Sequence, residues 1–239
     1  MNPARTLSAA LMICVYFASS APAQQAPPAN SMSFFVTSAG PGKGGNLGGL
    51  LGADRHCQML ATAAGAGAKT WHAYLSENGS AGHPTINARE RIGTGPWYNA
   101  KGVMIASSVA DLHSNNNKIS KQTAITEKGD MLPGRGDTPN KHDILTGSQA
   151  DGSAYPGSDS ANTTCGNWVR YFPMSGKARV GHFDRDGNDP VTGKSWNSAH
   201  DTMGCSQDEF KSTGGDLENP KTQIPNPKGI GIEGRRGRP

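Results

Sequence analysis

The sequence predicts an α+β domain with two short helices, small antiparallel sheets and a long loop region. Short runs of β-branched and aromatic residues, bounded by glycine and proline, predict strands of a few residues each. One segment instead repeats its apolar residues at helical spacing. Glycine accounts for 32 of the 239 residues, and hydrophobic residues make up 34% of the chain. This composition is typical of a loop-rich extracellular domain and lacks the high charge of disordered chains.

The first part of the domain alternates strands and helices. Ser31–Ser38 has the composition of a strand and lies between a proline-rich and a glycine-rich stretch. From Leu50 to Ala64 the apolar spacing predicts a helix whose inner face carries Cys57. Lys69–Ser76 alternates apolar and polar residues and predicts a second strand. A second, short helix is expected within Thr85–Gly93, because glycine commonly ends a helix.

The second part is richer in loops. Two strand-like runs flank a turn at Lys101–Gly102, and Asn115–Asp143 is polar and irregular. Three short apolar runs then predict strands, within His142–Ser148, Cys165–Phe172 and Lys177–Asp184.

The N-terminus has the pattern of a secretory signal peptide. Arg5 precedes a short apolar run, and Ala21 and Ala23 fit a small-residue cleavage site. The run is shorter than the roughly 20 residues that a membrane-spanning helix needs. We therefore expect residues 1–23 to be a signal peptide, no membrane span, and export to the periplasm or the extracellular space.

The rest of the chain divides into a linker, one domain and a tail. Residues 24–32 form a linker rich in proline and glutamine, and residues 33–215 form the domain. Residues 216–239 are rich in proline and glycine and end in a basic run, so we expect a disordered tail without a strand. The net charge of +4 is mild and no broad basic face is evident, so no nucleic-acid binding is expected.

Three cysteines follow the predicted signal peptide, at positions 57, 165 and 205. An exported chain favours a disulfide, and the odd number leaves one thiol over. No Cys-x-x-Cys spacing occurs, so neither a structural zinc site nor a redox motif is indicated by the cysteines.

A series of segments, taken in order, is similar to a family of secreted bacterial lectin-like proteins with a C-type lectin-like, endostatin-related fold. The segments are FFVTS, GNLGGLLGADRHCQ, TWHAYLS, INARERIGTGPWYNAKG, GRGDTPNKHDILTGS, TTCGNW, VGHFDR, SWNSAH and GCSQ. The resemblance implies a non-catalytic protein that binds a glycan or an extracellular protein surface. It also implies a disulfide between Cys165 and Cys205. The family's last strand, with a fourth cysteine, is missing from the expected tail, so Cys57 stays unpaired or pairs between two chains.

The resemblance also points to ligand-binding residues. Sugar-binding relatives of this fold use calcium and a Trp-Asn-Asp motif, of which Trp196 and Asn197 are present while Ser198 replaces the aspartate. The preceding loop offers Asp159 and Asn162 but no Glu-Pro-Asn motif. The calcium clamp is therefore incomplete. We expect Trp196 to anchor the loop and Asn197 to present its amide near the loop surface.

The stretch DRDGNDP is a candidate calcium site. Its Asp184, Asp186, Asn188 and Asp189 lie within six residues, and calcium takes six to eight oxygen ligands. The glycine is misplaced for an EF-hand and no glutamate stands twelfth. An ordinary turn rich in Asp and Asn is the alternative.

No catalytic residues are expected from the sequence. It contains no Gly-x-Ser-x-Gly elbow and no His pair spaced for a metalloprotease. Two other functions remain open. One is an adhesin for host or matrix proteins, and the tripeptide Arg135–Asp137 is of the type that integrins recognise. The other is an uncharacterised enzyme, which would require titratable residues that converge in one pocket.

Overall fold

A computed structural model describes residues 32–80, 82–156, 163–212 and 230–233. Within these ranges the chain is mixed α and β, with small antiparallel sheets and short helices. The helices are Gly49–Ala63 (α1), Ala88–Arg91 (α2), Val109–Leu112 (α3), Cys165–Trp168 (α4) and Gln207–Ser212 (α5). The strands are Phe34–Val36 (β1), Trp71–Ala73 (β2), Trp97–Tyr98 (β3), Met104–Ala106 (β4), Asp143–Leu145 (β5), Arg179–His182 (β6), His200–Asp201 (β7) and Ile230–Glu233 (β8).

The first sheet has the strand order β1-β8-β2, with β8 antiparallel to both neighbours. Strand β1 alternates between two apolar clusters, because Phe34 and Val36 lie in one and Phe35 in the other. Helix α1 packs against β2 and β8, and Cys57 on its buried face shares a cluster with Phe35 and Trp71. The predicted strands β1 and β2 and the predicted helix α1 are confirmed.

The expectation that residues 216–239 contain no strand is wrong, because Ile230–Glu233 forms the middle strand of this sheet. Ile230 and Ile232 are buried in the core, and these four residues include no proline. A side chain on Gly231 would run into the ring of Phe35. Glycine therefore permits close packing at this point rather than preventing a strand. The predicted signal peptide and the remainder of the predicted tail lie outside the described residues.

Strands β5, β6 and β7 form a sheet in that order, which we call the third sheet. It confirms two predicted strands, β5 and β6. The strand predicted within Cys165–Phe172 is wrong, since this segment begins with the tight turn α4. Thr164 accepts a hydrogen bond from the backbone N–H of Asn167 and so caps the turn. The indole of Trp168 donates to the carbonyl of Ser76, which holds the turn in the core.

The prediction of two helices is wrong, because the described part of the chain contains five. Helices α3, α4 and α5 have four to six residues each, which is too short for apolar periodicity to reveal. In the same ranges, no helix has the length and apolar character required to cross a bilayer.

The disulfide implied by the resemblance is present, joining Cys165 and Cys205 across a separation of 40 residues. It ties α4 to the segment that precedes α5. A loop of this size is stabilised by roughly 4 kcal/mol in the chain-entropy description. Cys57 is a free, buried thiol, and burial raises its pKa strongly, so it belongs to the core and has little nucleophilic character.

Candidate functional site

An open pocket of about 490 Å³ lies beside the third sheet. Two loops contribute most of its lining, and the sheet contributes imidazoles. The polar side chains that line it are Arg135, Asp137, Thr138, Asn140, His142, His182, Asn188, Asp189, Thr192 and His200. The pocket is therefore hydrophilic.

The third sheet brings histidines around one aspartate. Asp143 on β5 pairs directly with His182 on β6, so their side chains lie on the same face. His200 on β7 pairs with Val180, two residues from His182, and therefore projects to that face as well. His142 precedes β5, and its ring stacks on the ring of His182 with centroids 4.0 Å apart.

Three imidazole nitrogens surround one carboxylate oxygen. The Nε2 atoms of His182, His200 and His142 lie 3.3, 3.4 and 3.5 Å from Asp143 Oδ1. Both carboxylate oxygens of Asp143 and the Nε2 atom of His182 are buried, and none forms a hydrogen bond within the described structure. These contacts have the length of ion pairs but not the alignment of hydrogen bonds. We call Asp143, His142, His182 and His200 the imidazole–carboxylate cluster.

The other nitrogen of each ring faces an acceptor. His182 Nδ1 lies 2.7 Å from the carbonyl oxygen of Gly193, and His200 Nδ1 lies 3.2 Å from that of Asp201. His142 Nδ1 lies 3.1 and 3.2 Å from the two carboxylate oxygens of Asp184. Carbonyl and carboxylate oxygens only accept hydrogen bonds, so each Nδ1 carries the proton and donates it. In a neutral ring, Nε2 then holds a lone pair.

The carboxylate and the imidazoles of the cluster shift each other's pKa values. Burial alone would raise the pKa of Asp143, but the imidazoles of His182 and His200 outweigh it and lower the pKa to about 2. The close contact with the carboxylate of Asp143 raises the pKa of His200 despite its partial burial. The cluster thus stabilises an anion at Asp143 and attracts positive charge around it.

The candidate calcium residues use their oxygens within the fold. Asp184 accepts from the backbone N–H groups of Arg135 and Asp186 as well as from His142. Asp189 accepts from the backbone N–H groups of Val191 and Thr192. These contacts fit the alternative of an Asp- and Asn-rich turn.

The other two candidates of that stretch are exposed and lie near Arg135. Asn188 accepts from the guanidinium of Arg135, and Asp186 lies 3.9 Å from the same group. Calcium at this stretch stays a prediction.

The expected position of Asn197 near the loop surface is wrong. Asn197 is 1% exposed, and its amide donates to the hydroxyl of Tyr74 and to the carbonyls of Gln149 and Ala150. Trp196 is buried, as an anchoring residue should be, and its indole donates to the carbonyl of Leu112. Both residues serve the core. The other two predicted ligand-binding residues, Asp159 and Asn162, lie outside the described residues.

Sequence reasoning missed the imidazole–carboxylate cluster. His142 and Asp143 are adjacent, but His182 and His200 come from two other segments, and no local spacing joins the four residues. The sequence offered one signal: Asp143 and His182 each lie in a segment predicted to be a strand, although the pairing of those strands was not predicted. The chain matches no known protein-family model and no curated protein, so the site is interpreted from its own geometry.

Proposed function

We propose that the protein is an exported, non-catalytic binding protein with a C-type lectin-like fold, and that it binds a glycan in the pocket beside the third sheet. The observation that carries this proposal is the pocket's size and lining. Its volume of about 490 Å³ lies within the roughly 300–1,000 Å³ of small-molecule sites. Such sites are mostly apolar, whereas polar groups dominate this lining. A hydroxyl-rich ligand matches it better than an apolar one.

The lining offers both donors and acceptors. The guanidinium of Arg135 supplies only donors, the carboxylate of Asp189 supplies only acceptors, and the amides of Asn140 and Asn188 supply both. A sugar hydroxyl donates one hydrogen bond and accepts others, so neighbouring hydroxyls need this mixture. Loops held on a scaffold commonly carry such recognition.

Export and the lectin-like fold have separate support. The disulfide between Cys165 and Cys205 suits a protein that folds in an oxidising compartment, as the signal-peptide pattern also suggests. A helix packed against a small sheet, the bridge between Cys165 and Cys205 and long segments without regular structure are compatible with the fold that the resemblance implied.

An adhesin that uses Arg135–Asp137 has less support. The backbone N–H of Arg135 donates to Asp184, and its guanidinium donates to Asn188. Asp137 accepts from the backbone N–H of Gly134 and pairs with Lys121. The tripeptide is thus held in a turn by its own side chains.

An enzyme is the second candidate, because the imidazole–carboxylate cluster is the convergent set of titratable residues that the sequence did not reveal. Three of its members line the pocket. A reaction there would be hydrolysis or acid–base chemistry, in which an imidazole accepts or donates the proton.

A glycan array beside a matrix-protein panel tests the proposal, with Asn188→Ala as the pocket variant and Asn116→Ala as the control. Both asparagines are exposed, but only Asn188 lines the pocket. We expect wild-type protein and Asn116→Ala to bind the same glycans and Asn188→Ala to bind them about tenfold more weakly. Binding to matrix proteins alone would favour the adhesin, and release of shortened glycan would favour the enzyme.

A further inference from the structure

We infer that Asp143, His182, His200 and His142 hold a divalent transition-metal ion, with zinc as the best fit, on the sheet side of the pocket. This site is distinct from the candidate calcium stretch 184–189. It does not depend on glycan binding, because the ion is the only ligand required to test it.

The first reason is electronic. The Nδ1 atoms of the three rings donate to Gly193, Asp201 and Asp184, so the Nε2 atoms of neutral rings carry lone pairs. Those lone pairs and the carboxylate of Asp143 face one another, and they repel unless a positive charge lies among them. Neutral imidazoles and a carboxylate form a common zinc ligand set.

The outer contacts of the three rings follow the pattern of metal-binding histidines. A histidine that binds a metal through one ring nitrogen almost always donates the other N–H to a carboxylate or a backbone carbonyl. His142 has the carboxylate of Asp184 in this role, and His182 has the carbonyl of Gly193. These contacts fix which nitrogen is free to bind the ion.

The second reason is metric. Zinc bonds of about 2.0–2.1 Å to nitrogen and oxygen in a tetrahedron place the ligand atoms about 3.3 Å from one another. The separations of 3.3, 3.4 and 3.5 Å between the imidazole nitrogens and Asp143 Oδ1 match that value. An N–H···O hydrogen bond has a usual length of about 2.9–3.0 Å. In addition, ligand atoms of His142, Asp143 and His182 lie within 4.8 Å of one another.

The orientations of the rings indicate which histidines are better placed to share one ion. The rings of His182 and His200 are inclined at 61°, whereas those of His142 and His182 are nearly parallel at 12°. Parallel stacked rings direct their lone pairs side by side, so His142 must rotate before it can share an ion with His182. We therefore assign Asp143 and His182 as the central ligands, since both belong to the described group whose ligand atoms all lie within 4.8 Å of one another. His200 completes the set through its contact with Asp143 Oδ1, and His142 is the weaker fourth ligand.

The ligand atoms determine which metal fits the site, and the exposure of His200 determines how the ion reaches it. Imidazole suits zinc and its transition-metal neighbours, whereas calcium prefers oxygen. The side chain of His200 is 39% exposed and lines the pocket, so the ion can enter from the pocket.

Zinc titration of the full exported chain tests the site, after removal of metal by a chelator and without any glycan. Isothermal calorimetry should show one zinc per wild-type chain, and cobalt in its place should give tetrahedral absorption bands. Asp143→Asn and His200→Ala should each lower affinity by at least about 100-fold, since even outer contacts are worth 10–100-fold. His142→Ala should lower it less.

Two controls separate a site from general histidine binding and from misfolding. His83→Ala removes an exposed imidazole outside the cluster and should leave zinc affinity unchanged. Circular dichroism of each metal-free variant reports folding, and His200→Ala, at a partly exposed position, serves if Asp143→Asn does not fold. Failure of wild-type protein to bind zinc, or unchanged affinity in both variants, overturns the inference. A zinc result without glycan binding would leave the ion in place and reject only the proposed function.

Discussion

Two aspartates with equally covered side chains have opposite surroundings. The side chains of Asp54 and Asp143 are each 17% exposed. Asp54 accepts from the backbone N–H of Ala73 at 2.9 Å, from His72 at 2.8 Å and from Arg91 at 2.6 Å. The carboxylate of Asp143 lies among three imidazoles, yet neither of its oxygens has a hydrogen-bond partner among the described residues.

The two aspartates differ in the kind of positively charged side chain that lies beside them. Arg91 is always charged, and one of its guanidinium nitrogens donates to the carboxylate of Asp54 while another donates to the carbonyl of Ala73, so Asp54 has a cation beside it at every physiological pH. The histidines around Asp143 are charged only when protonated. A covered anion that lacks a permanent cation is poorly balanced by the protein alone. Asp54 therefore belongs to the scaffold, whereas Asp143 belongs to a site that takes up positive charge.

The largest expected effect is the stabilisation of the protein by zinc, which should depend on Asp143 and not on Asp54. Saturation at about 1,000 times the dissociation constant adds roughly 4 kcal/mol to the free energy of unfolding, or about 8–16 °C in the melting temperature of a domain of this size. Wild-type protein and Asp54→Asn should both show the rise, and Asp143→Asn should not. Differential scanning calorimetry with and without zinc measures it, and a rise in Asp143→Asn would contradict the assignment.

The next largest effect is the loss of stability when each of the two aspartates is replaced by alanine in metal-free protein. Asp54→Ala leaves the guanidinium of Arg91, which is 13% exposed, without its partner and should cost about 3 kcal/mol. Asp143→Ala removes no hydrogen bond and should cost clearly less. Urea unfolding of both variants gives the two free energies. Equal losses would show that Asp143 is as structural as Asp54.

A smaller loss is expected for the buried amide beside the cluster. Asn197→Ala removes an amide whose two N–H groups are shared among three acceptors, and it leaves Tyr74 and two carbonyls with fewer partners, at a cost of about 1–3 kcal/mol. Zinc affinity should be unchanged, because the hydrogen bonds of the Asn197 side chain go to residues outside the cluster. Lower zinc affinity with normal stability would place Asn197 in the site instead of the core.

The smallest effect is expected in acid and concerns Asp54. Burial would raise its pKa, but the hydrogen bond from His72 and the charge of Arg91 outweigh burial and hold the pKa below 3.8. A lowered folded-state pKa contributes stability that is present above 3.8 and is lost as the pH falls through the folded value. Wild-type stability should therefore fall more steeply below about pH 4 than that of Asp54→Asn. Parallel acid titrations that coincide would contradict this role.

The sequence predicted those parts of the fold that depend on local pattern. Helix α1 repeats its apolar residues over 15 positions, and β1, β2, β5 and β6 are short apolar runs with clear boundaries. The turn α4 was missed because Cys165 and Trp168 adopt positive φ, which such residue types rarely do. Its stability comes from contacts with distant residues such as Ser76.

The cluster was not predictable for a related reason. His182 meets Asp143 through strand register, across about 40 residues of chain, and no local spacing encodes that register. The calcium hypothesis relied on oxygen-rich sequence alone. Asn197 matched a motif, but the motif does not reveal that Tyr74 and two backbone carbonyls occupy its amide.

The position of β8 has a consequence for the order of folding. The register pairs Phe34 with Ile232, about 200 residues apart in the chain, and the same strand also pairs with β2. Such distant pairing closes a long loop and is slow to form. During synthesis, β1 and β2 emerge long before β8, and the edges that pair with β8 have no partner until Ile230–Glu233 arrives. We expect this sheet to stay incompletely folded until β8 is released, and a protein cut before Ile230 to expose two open strand edges to its neighbours.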